Sequence, residues 1–374
     1  ATIDATAATA INGTATQVSD ALADTQINHD ADFTVTLTNN STATAAELIA
    51  INAATNQPVT ATGVTAITGS ISDVNTVLSA EANQDTPGDA IDLDADFTVT
   101  ITDTGSVAAT TLTTLDTDVP GTVNANTVGS LTGTAAQIAA AATADANGTL
   151  VLKADFGATV DAGAVNASDL NTISGRTTAT IDATAATAIN GSAADVATAL
   201  ADSEISHTST FDVTLSTGSA TATALSTINA ATTKNIDATA VTAITGTAAA
   251  VKAIMDVEAN TGNFINLDGN FSVTVDAGSV EASDLTAISL KTEGTVVATG
   301  ATAINGTANE VATVLADTEI THTSTFAVTI DANTAASASD LASINSATTA
   351  NIDATGVTAI TGTAAAIKSI MDAE

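Results

Sequence analysis

Apolar and polar residues alternate with a period of two in several short stretches of this chain. Phe271, Val273, Val275 and Ala277, for example, are interleaved with Ser272, Thr274 and Asp276. That alternation, with β-branched residues on the apolar side, predicts a strand with one buried face. A second kind of stretch, "IDATAVTAI", places Ile236, Ala238, Val241 and Ile244 at offsets 0, 2, 5 and 8. Both kinds share an apolar-Asp-Ala triplet, Ile236-Asp237-Ala238 and Val275-Asp276-Ala277, which marks them as equivalent strand starts. Helical spacing follows a Gly and a Thr or Ser, as in Ser192 followed by Ala193, Val196, Ala197 and Leu200. Thr14 with Gln17, Thr134 with Gln137, Ser192 with Asp195 and Thr307 with Glu310 have the spacing of capping boxes. They predict helices of roughly three turns, while "ASDLTAI", with Leu285 and Ile288 three apart, predicts a shorter one. Pro58, Pro87 and Pro120 fall between these elements, where proline is tolerated.

The pattern is repeated. The Gly of "I(N/T)G(T/S)" recurs as Gly13, Gly69, Gly133, Gly191, Gly246, Gly306 and Gly362, at spacings of 56, 64, 58, 55, 60 and 56. Two 22-residue stretches, Asn235–Asp256 and Asn351–Asp372, agree at 19 places. The strand starts Ile3, Leu37, Val59, Ile101, Val123, Val160, Ile181, Leu215, Ile236, Val275, Val296, Ile330 and Ile352 alternate long intervals of 34–42 residues with short ones of 21–22. One strand held in register per coil, with insertions confined to the long coil, is how a solenoid behaves. Parallel strands joined by helices need crossovers of this length, and those crossovers are right-handed.

The expected fold is therefore α/β: a right-handed β/α solenoid of about 13 coils, its parallel strands set on alternating long, helix-bearing coils and short ones. A single array covers residues 1–374, in units of about 1–58, 59–121, 122–178, 179–234, 235–294, 295–350 and 351–374. The units run A, B, C, A, B, A, B, and the last stops before its expected "DFTVT" strand. Neither end shows a polar capping repeat, which predicts an array that continues or ends that meet other molecules.

Composition sharpens this picture. Aromatics are 2 % of residues, Trp, Tyr and Cys are absent, and many of the apolar residues are Ala. A thin, regular core suits that composition better than an aromatic-rich globule does. Phe33, Phe97, Phe156, Phe211, Phe271 and Phe326 each lie four residues before a short-coil start, one per unit, as an interior column. Forty-one acidic residues against six basic ones give a formal charge of −35, which repels nucleic acid and anionic lipid. A mean hydropathy of +0.32 argues against disorder. No run of about 18 apolar residues is present to span a membrane, so membrane insertion is not expected.

Candidate chemistry is sparse. His29, His207 and His322 occupy one phase of the A units, as a repeated surface or turn residue or, alternatively, as metal ligands. "DLDAD" (Asp92, Asp94, Asp96) and "NLDGN" (Asn266, Asp268, Asn270) hold the same place in two B units. Alternate residues of a strand share a face, so Asp92, Asp94, Asp96 and Asp268 are candidate oxygen ligands for calcium, which takes six to eight oxygens. The alternative is a solvated strand edge. An outward column containing Asp237 and Asp276 predicts stacked like charges one strand spacing apart, which bound cations would relieve. The "FTVTL" and "FTVTI" faces form a weak threonine ladder, interrupted elsewhere by Gly157, Asp212, Ser272 or Ala327. Repetition itself argues against an enzyme, because catalysis needs a few unique residues in one pocket.

The phrases "VTAITGTAAAVKAIM", "VDAGSVEASDLTAI" and "TIDATAATAINGSAADVATALAD" resemble the Ala/Thr/Asp-rich repeat arrays of giant secreted cell-surface proteins of marine cyanobacteria, the swimming-associated surface protein type, and related bacteria. The resemblance spans essentially the whole chain. It implies an extracellular or cell-surface location, a structural or adhesive role, and calcium as an accompanying ion. The expected function is a non-catalytic structural module of a surface fibre, filament or layer, self-associating by end-to-end continuation of a solenoid. The alternative is an adhesin stalk or ligand-binding solenoid that contacts its partner through long-coil insertions such as residues 79–90. Ice or mineral binding by the Thr/Asp face is a third reading.

Overall fold

The computed structural model describes residues 1–38, 41–83, 90–258 and 265–373. Among them are thirteen helices: α1 (Ala15–Ala23), α2 (Ala45–Ala54), α3 (Ile71–Ala82), α4 (Ala109–Asp118), α5 (Ala135–Asn147), α6 (Ala167–Ser174), α7 (Ala193–Ala201), α8 (Ala222–Ala231), α9 (Ala248–Glu258), α10 (Ala282–Ser289), α11 (Ala308–Ala316), α12 (Ala338–Ala347) and α13 (Ala364–Met371). Every strand pairing among the described residues is parallel. The architecture is an α/β repeat of solenoid type. It forms two compact units, one of Ala1–Ala162, Asp169–Ala185 and Glu204–Ser206, the other of Gly163–Ser168, Ala186–Ser203 and His207–Glu374.

The coils differ from the expected one strand apiece. Successive helices are separated alternately by three strands and by two. In unit 1, Ile91–Leu93, Thr98–Ile101 and Ser106–Ala108 lie between α3 and α4, and Val123–Ala125 and Ser130–Gly133 lie between α4 and α5. The middle strand of the three-stranded coil has two kinds of neighbour. Val99 pairs with Ile67, in the second strand of the preceding coil, and with Val123, in the first strand of the following one. Each sheet therefore shifts sideways by one strand for every two coils. A sheet in unit 1 runs Ser41–Thr44, Val64–Gly69, Thr98–Ile101, Val123–Ala125 and Leu150–Leu152. Unit 2 repeats the rule in Gly218–Thr221, Val241–Gly246, Ser272–Val275, Val296–Val297 and Ile320–Thr321.

This register corrects the equivalence of the two Asp-Ala triplets. Ile236 pairs with Val213 and Ile265, whereas Val275 ends its strand opposite Gly246. The two triplets sit at different places in the coil, and local likeness over three residues could not reveal it.

The core follows the alternation read from the sequence. The inward row Ala43, Ile67, Val99, Val123 and Leu150 is buried, as is Ala220, Ile244, Val273, Val296 and Ile320. Full burial of each larger aliphatic side chain contributes about 1.5–3 kcal/mol. The six phenylalanines are buried as expected. Each belongs to a three-stranded coil, so a two-stranded coil lies between one and the next.

Capping boxes form at Thr14–Gln17, Thr134–Gln137 and Thr307–Glu310 with both reciprocal bonds, and also at Thr44–Glu47. At Ser192 the hydroxyl accepts from the Asp195 amide but donates to Asp195 Oδ2 at 2.6 Å. The glutamates of the full boxes, Glu47 and Glu310, take both the capping hydroxyl and the capping amide, which the longer side chain can reach. Ahead of α9 the chain turns at Gly246, whose φ of +154° disfavours an L side chain and whose added Cβ would lie 3.1 Å from the Ala222 Cβ. The glycine of the recurring "ITGT" phrase is thus a backbone requirement of the strand-to-helix turn.

A further element ties each phenylalanine coil to the next strand. Thr55, Thr177, Thr232, Thr292 and Thr348 are buried and donate their hydroxyls to the carbonyls of Phe33, Phe156, Phe211, Phe271 and Phe326, respectively. The same oxygens accept from the amides of Gln57, Ala179, Lys234, Gly294 and Ala350. Opposite Phe97 the threonine is replaced by Val119, and the Gly121 amide donates directly to the Phe97 carbonyl at 3.1 Å.

Candidate functional site

The acidic strand ends are the candidate the sequence singles out. In unit 1, Ile91 and Leu93 turn into the core, so Asp92 between them faces outward beside Thr60. The Leu93 amide donates to Glu81 Oε2 at 2.8 Å, fixing the end of α3 against this strand. Asp94 Oδ1 then accepts from the Asp96 amide at 3.1 Å and closes a local turn. Asp96 shares a side-chain hydrogen bond with Asp94. That bond, with the Asp96 amide, holds the Asp94 carboxyl below the usual carboxylate range. Sharing the proton with Asp94 and repulsion from its charge push Asp96 upward. A groove of about 830 Å³ beside them is lined by Asn75, Leu78, Glu81, Asp92, Asp94 and Asp118, among others. Half of the nearby 79–90 insertion, residues 84–89 including Pro87, lies outside the described residues.

In unit 2, Asp268 Oδ1 accepts from the Asn270 amide at 3.2 Å, the same turn with a single carboxylate. Asn124, Asp182, Asp237 and Asp353 do likewise with the amides two residues on. Asp182, Asp237 and Asp353 also accept from the hydroxyls of Thr184, Thr239 and Thr355 at 2.6–2.7 Å. Each of these side chains satisfies a backbone amide where a strand stops. Asp94 and Asp96 are brought together, and Asp92 and Asp94 share the groove. Among the described residues, no group of three or more His, Asp or Glu side chains is placed to hold a metal ion.

The stacked aspartates expected at Asp237 and Asp276 do not form. The strand partners of Asp237 are Thr214 and Asn266, and the Asp276 amide donates to the Gly246 carbonyl. Polar neutral neighbours remove the like-charge penalty that would have favoured a bound cation.

The histidines are half-buried and pack edge-on against phenylalanine. His29–Phe33, His207–Phe211 and His322–Phe326 have ring centroids 5.3–5.4 Å apart and nearly perpendicular planes. Each Nδ1 donates to the next residue's carbonyl, at 3.2, 2.8 and 2.9 Å. The same position, four residues before phenylalanine, holds the buried leucines Leu93, Leu152 and Leu267 in other coils. The histidine thus fills a core-edge position with one polar nitrogen turned to the backbone.

The outward sheet faces carry rows of hydroxyl, amide and carboxylate groups. At the centre of each is the second threonine of the phenylalanine strand, exposed in all six cases: Thr36, Thr100, Thr159, Thr214, Thr274 and Thr329. Thr100 lies between Thr68 and Asn124, Thr159 between Thr132 and Asp182, and Thr329 between Asn305 and Asp353. The first threonine position varies, which hid this row in the sequence.

The buried threonines of the Thr–Phe bonds went unrecognised there too. Their signal is a Thr four residues ahead of Val59, Ile181, Ile236, Val296 and Ile352. No protein-family model matches the chain, and no curated protein sequence matches it significantly.

Proposed function

We propose that this chain is a non-catalytic structural module of an extracellular surface fibre, filament or layer, extended by end-to-end continuation of its coils. The observation that carries this reading is the use to which its polar side chains are put. Aspartates close turns, threonines cap helices or bind phenylalanine carbonyls, and histidines bind the adjacent backbone. Most of these bonds are local to one coil and serve its backbone, and the threonine–phenylalanine bonds join successive coils. The formal charge of −35 suits a long surface exposed to salt water, where screening limits self-repulsion. The resemblance to repeat arrays of giant secreted bacterial surface proteins points the same way.

Electron microscopy of native material tests the reading. Regular filaments or lattices are expected; isolated particles that bind a surface ligand would favour the adhesin alternative. The outward rows centred on Thr100 and Thr159 favour that second reading, because they present hydrogen-bonding groups at the strand spacing. For calcium, the oxygen donors are Asp92, Asp94 and Asp96, with Glu81 lining the same groove as Asp92 and Asp94. Removing calcium with a chelator should then lower the melting temperature, and Asp94→Asn should abolish that shift. An unchanged melting curve removes calcium from the proposal.

A further inference from the structure

Four Asn-Gly dipeptides occur in the chain: Asn12-Gly13, Asn147-Gly148, Asn190-Gly191 and Asn305-Gly306. A glycine after asparagine has no Cβ to shield its backbone nitrogen, so that nitrogen can approach the asparagine side chain closely.

Three of the four are held in parallel ladders. Asn12 and Gly13 end the strand Ala10–Gly13, where they pair with Thr36 and Leu37. Asn190 ends the strand Ala186–Asn190 opposite Asn166. Its Oδ1 accepts from the Thr214 amide at 3.0 Å, and the Gly191 amide donates to the Thr214 carbonyl at 3.3 Å. Asn305 pairs with Glu281 and Thr329, and its Nδ2 donates to Ser279 Oγ at 2.7 Å. Gly306 beside it pairs with Ile330 and is buried.

Asn147-Gly148 is placed differently. Asn147 is the last residue of α5, Gly148 caps that helix in the left-handed region at φ +81°, and both are exposed. Nothing lies within 4 Å of where a Gly148 Cβ would stand, so the space around this nitrogen is open. The Gly148 amide donates to the Asp145 carbonyl at 3.1 Å, a bond inside the last turn of the helix. Helix ends fray. Turning the Gly148 nitrogen toward the Asn147 side chain therefore breaks one local bond, whereas the same rotation at Asn190 or Asn305 breaks a joint between strands.

We propose that Asn147 is a site of spontaneous covalent modification, at which water converts the carboxamide to a carboxylate and loosens the end of α5. The Gly148 nitrogen gives up its proton and attacks Asn147 Cγ. The N–Cγ bond forms, the Cγ–Nδ2 bond breaks, and the side-chain nitrogen takes up that proton and leaves as ammonia. Water then opens the cyclic imide. Cleavage of the new N–Cγ bond leaves aspartate at position 147 on an unaltered main chain. Cleavage of the original peptide bond leaves isoaspartate, with an extra methylene in the main chain. Nothing is oxidised or reduced, and water is the sole co-reactant.

The product puts a negative charge at the C-terminal end of α5, where the helix dipole disfavours it. Two residues earlier, Asp145 Oδ1 accepts from the Leu152 amide at 2.8 Å and Asp145 Oδ2 from Arg176 Nε at 2.8 Å. These bonds hold the helix end to the strand Leu150–Leu152 and to the segment after α6. The modified residue thus loosens a joint between neighbouring coils. This limited lifetime goes beyond the structural-module reading and holds whether or not the chain forms filaments.

The test ages the purified chain in mildly alkaline buffer and follows its peptides by mass spectrometry, with hydrogen exchange of residues 150–152 alongside. Asn147 should lose its carboxamide at least about tenfold faster than Asn190 and Asn305, because a helix end opens more often than a closed ladder. In urea the three rates should converge, since the dipeptide is the same. The Asn147 rate should rise with pH, because the attacking nitrogen must first lose its proton. Asn147→Gln, whose cyclic imide would need a larger ring, should remain unmodified at that position and keep the 150–152 amides protected after the same ageing. The aged parent should exchange them faster. Equal rates at Asn147, Asn190 and Asn305 in the folded chain overturn the proposal, as does an Asn147 carboxamide that outlasts either of the others. An aged parent whose 150–152 amides exchange no faster than those of the aged variant also overturns it.

Discussion

The hydroxyl of Thr232 donates to the carbonyl of Phe211 at 2.7 Å and accepts from the Lys234 amide at 3.1 Å. One buried oxygen therefore satisfies two backbone groups, one just ahead of the strand Val213–Thr214 and one on the segment leading into Ile236–Ala238. Loss of this hydroxyl strands both groups, and an unsatisfied buried polar group costs about 1–3 kcal/mol. Thr232→Val, which keeps the shape, should destabilise unit 2 by that amount in urea unfolding. The reverse change Val119→Thr should be near neutral, because the Gly121 amide already serves the Phe97 carbonyl. Equal effects of the two changes would show that the bond carries no stability.

Gly294 makes the same joint sensitive to a single methyl group. A Cβ there would fall on the Phe271 carbonyl, which is backbone and has no rotamer to yield. Gly294→Ala should destabilise by at least about 1–3 kcal/mol, the usual cost of overpacking. Gly105 has nothing within 4 Å of its added Cβ, so Gly105→Ala should stay within about 0.5 kcal/mol of the parent. Thermal melts of the two variants make the comparison.

Much of this architecture was legible in the sequence, because the signals that set it are local. The period-two alternation through Phe271, Val273 and Val275, the helix caps at Thr14, Thr134 and Thr307, and the recurring glycine all follow from backbone geometry. The register was not. Whether Val275 or Ile236 opens a given strand depends on which strand lies beside it, a contact made at sequence separations near 30, as Ile67 with Val99 shows. The turns at the acidic strand ends were not legible either, for a related reason. Asp94 and Asp237 have the spacing of outward strand residues, but each carboxylate folds back on an amide two residues away. Side-chain-to-backbone bonds of this kind compete with any external ligand for the same oxygens.

The histidine position offers a substitution that the chain itself suggests. Leu93, Leu152 and Leu267 stand where His29, His207 and His322 stand, four residues before a buried phenylalanine. His207→Leu gives up the 2.8 Å bond to the Thr208 carbonyl and gains apolar burial against Phe211. Because that carbonyl lies at an exposed residue, water replaces the lost donor, and the variant should be neutral or more stable by up to about 1 kcal/mol. A loss of several degrees in melting temperature would show that the imidazole does more than fill this position.

Acid should loosen the chain through its caps and turns. The Thr307 amide and hydroxyl hold Glu310 below its ordinary value, and Thr184 and Thr355 do the same for Asp182 and Asp353. A carboxyl whose pKa is lower folded than unfolded stabilises the fold above the unfolded value, near pH 4. That contribution disappears as pH falls through the lowered folded values. Stability attributable to these groups should therefore hold from neutrality down to about pH 4–5 and decline below it. Glu310→Gln keeps an acceptor for the Thr307 amide without a titrating charge, so the variant should show a shallower acid decline than the parent in pH-dependent urea unfolding. Parallel declines would remove Glu310 from the effect.

Asp96 should act in the opposite sense. Its proton is shared with Asp94 and its charge repelled by it, so the folded chain favours the protonated form. A carboxyl whose folded pKa is raised contributes stability while protonated and loses it as pH rises through the folded value. At neutral pH the pair then carries two charges in one turn, and the −35 balance of the chain supplies little to offset them. Asp96→Asn keeps a side-chain donor for Asp94 and leaves the amide bond to Asp94 Oδ1 in place. The variant should be more stable than the parent at pH 7, and the difference should shrink as pH falls below about 4, where Asp96 is protonated in either state. High salt should shrink it too, because Asp96 is exposed and Asp94 only half-buried, so the pair is open to screening. If the gain at pH 7 persists unchanged in acid, it comes from the altered turn residue and not from the charge pair.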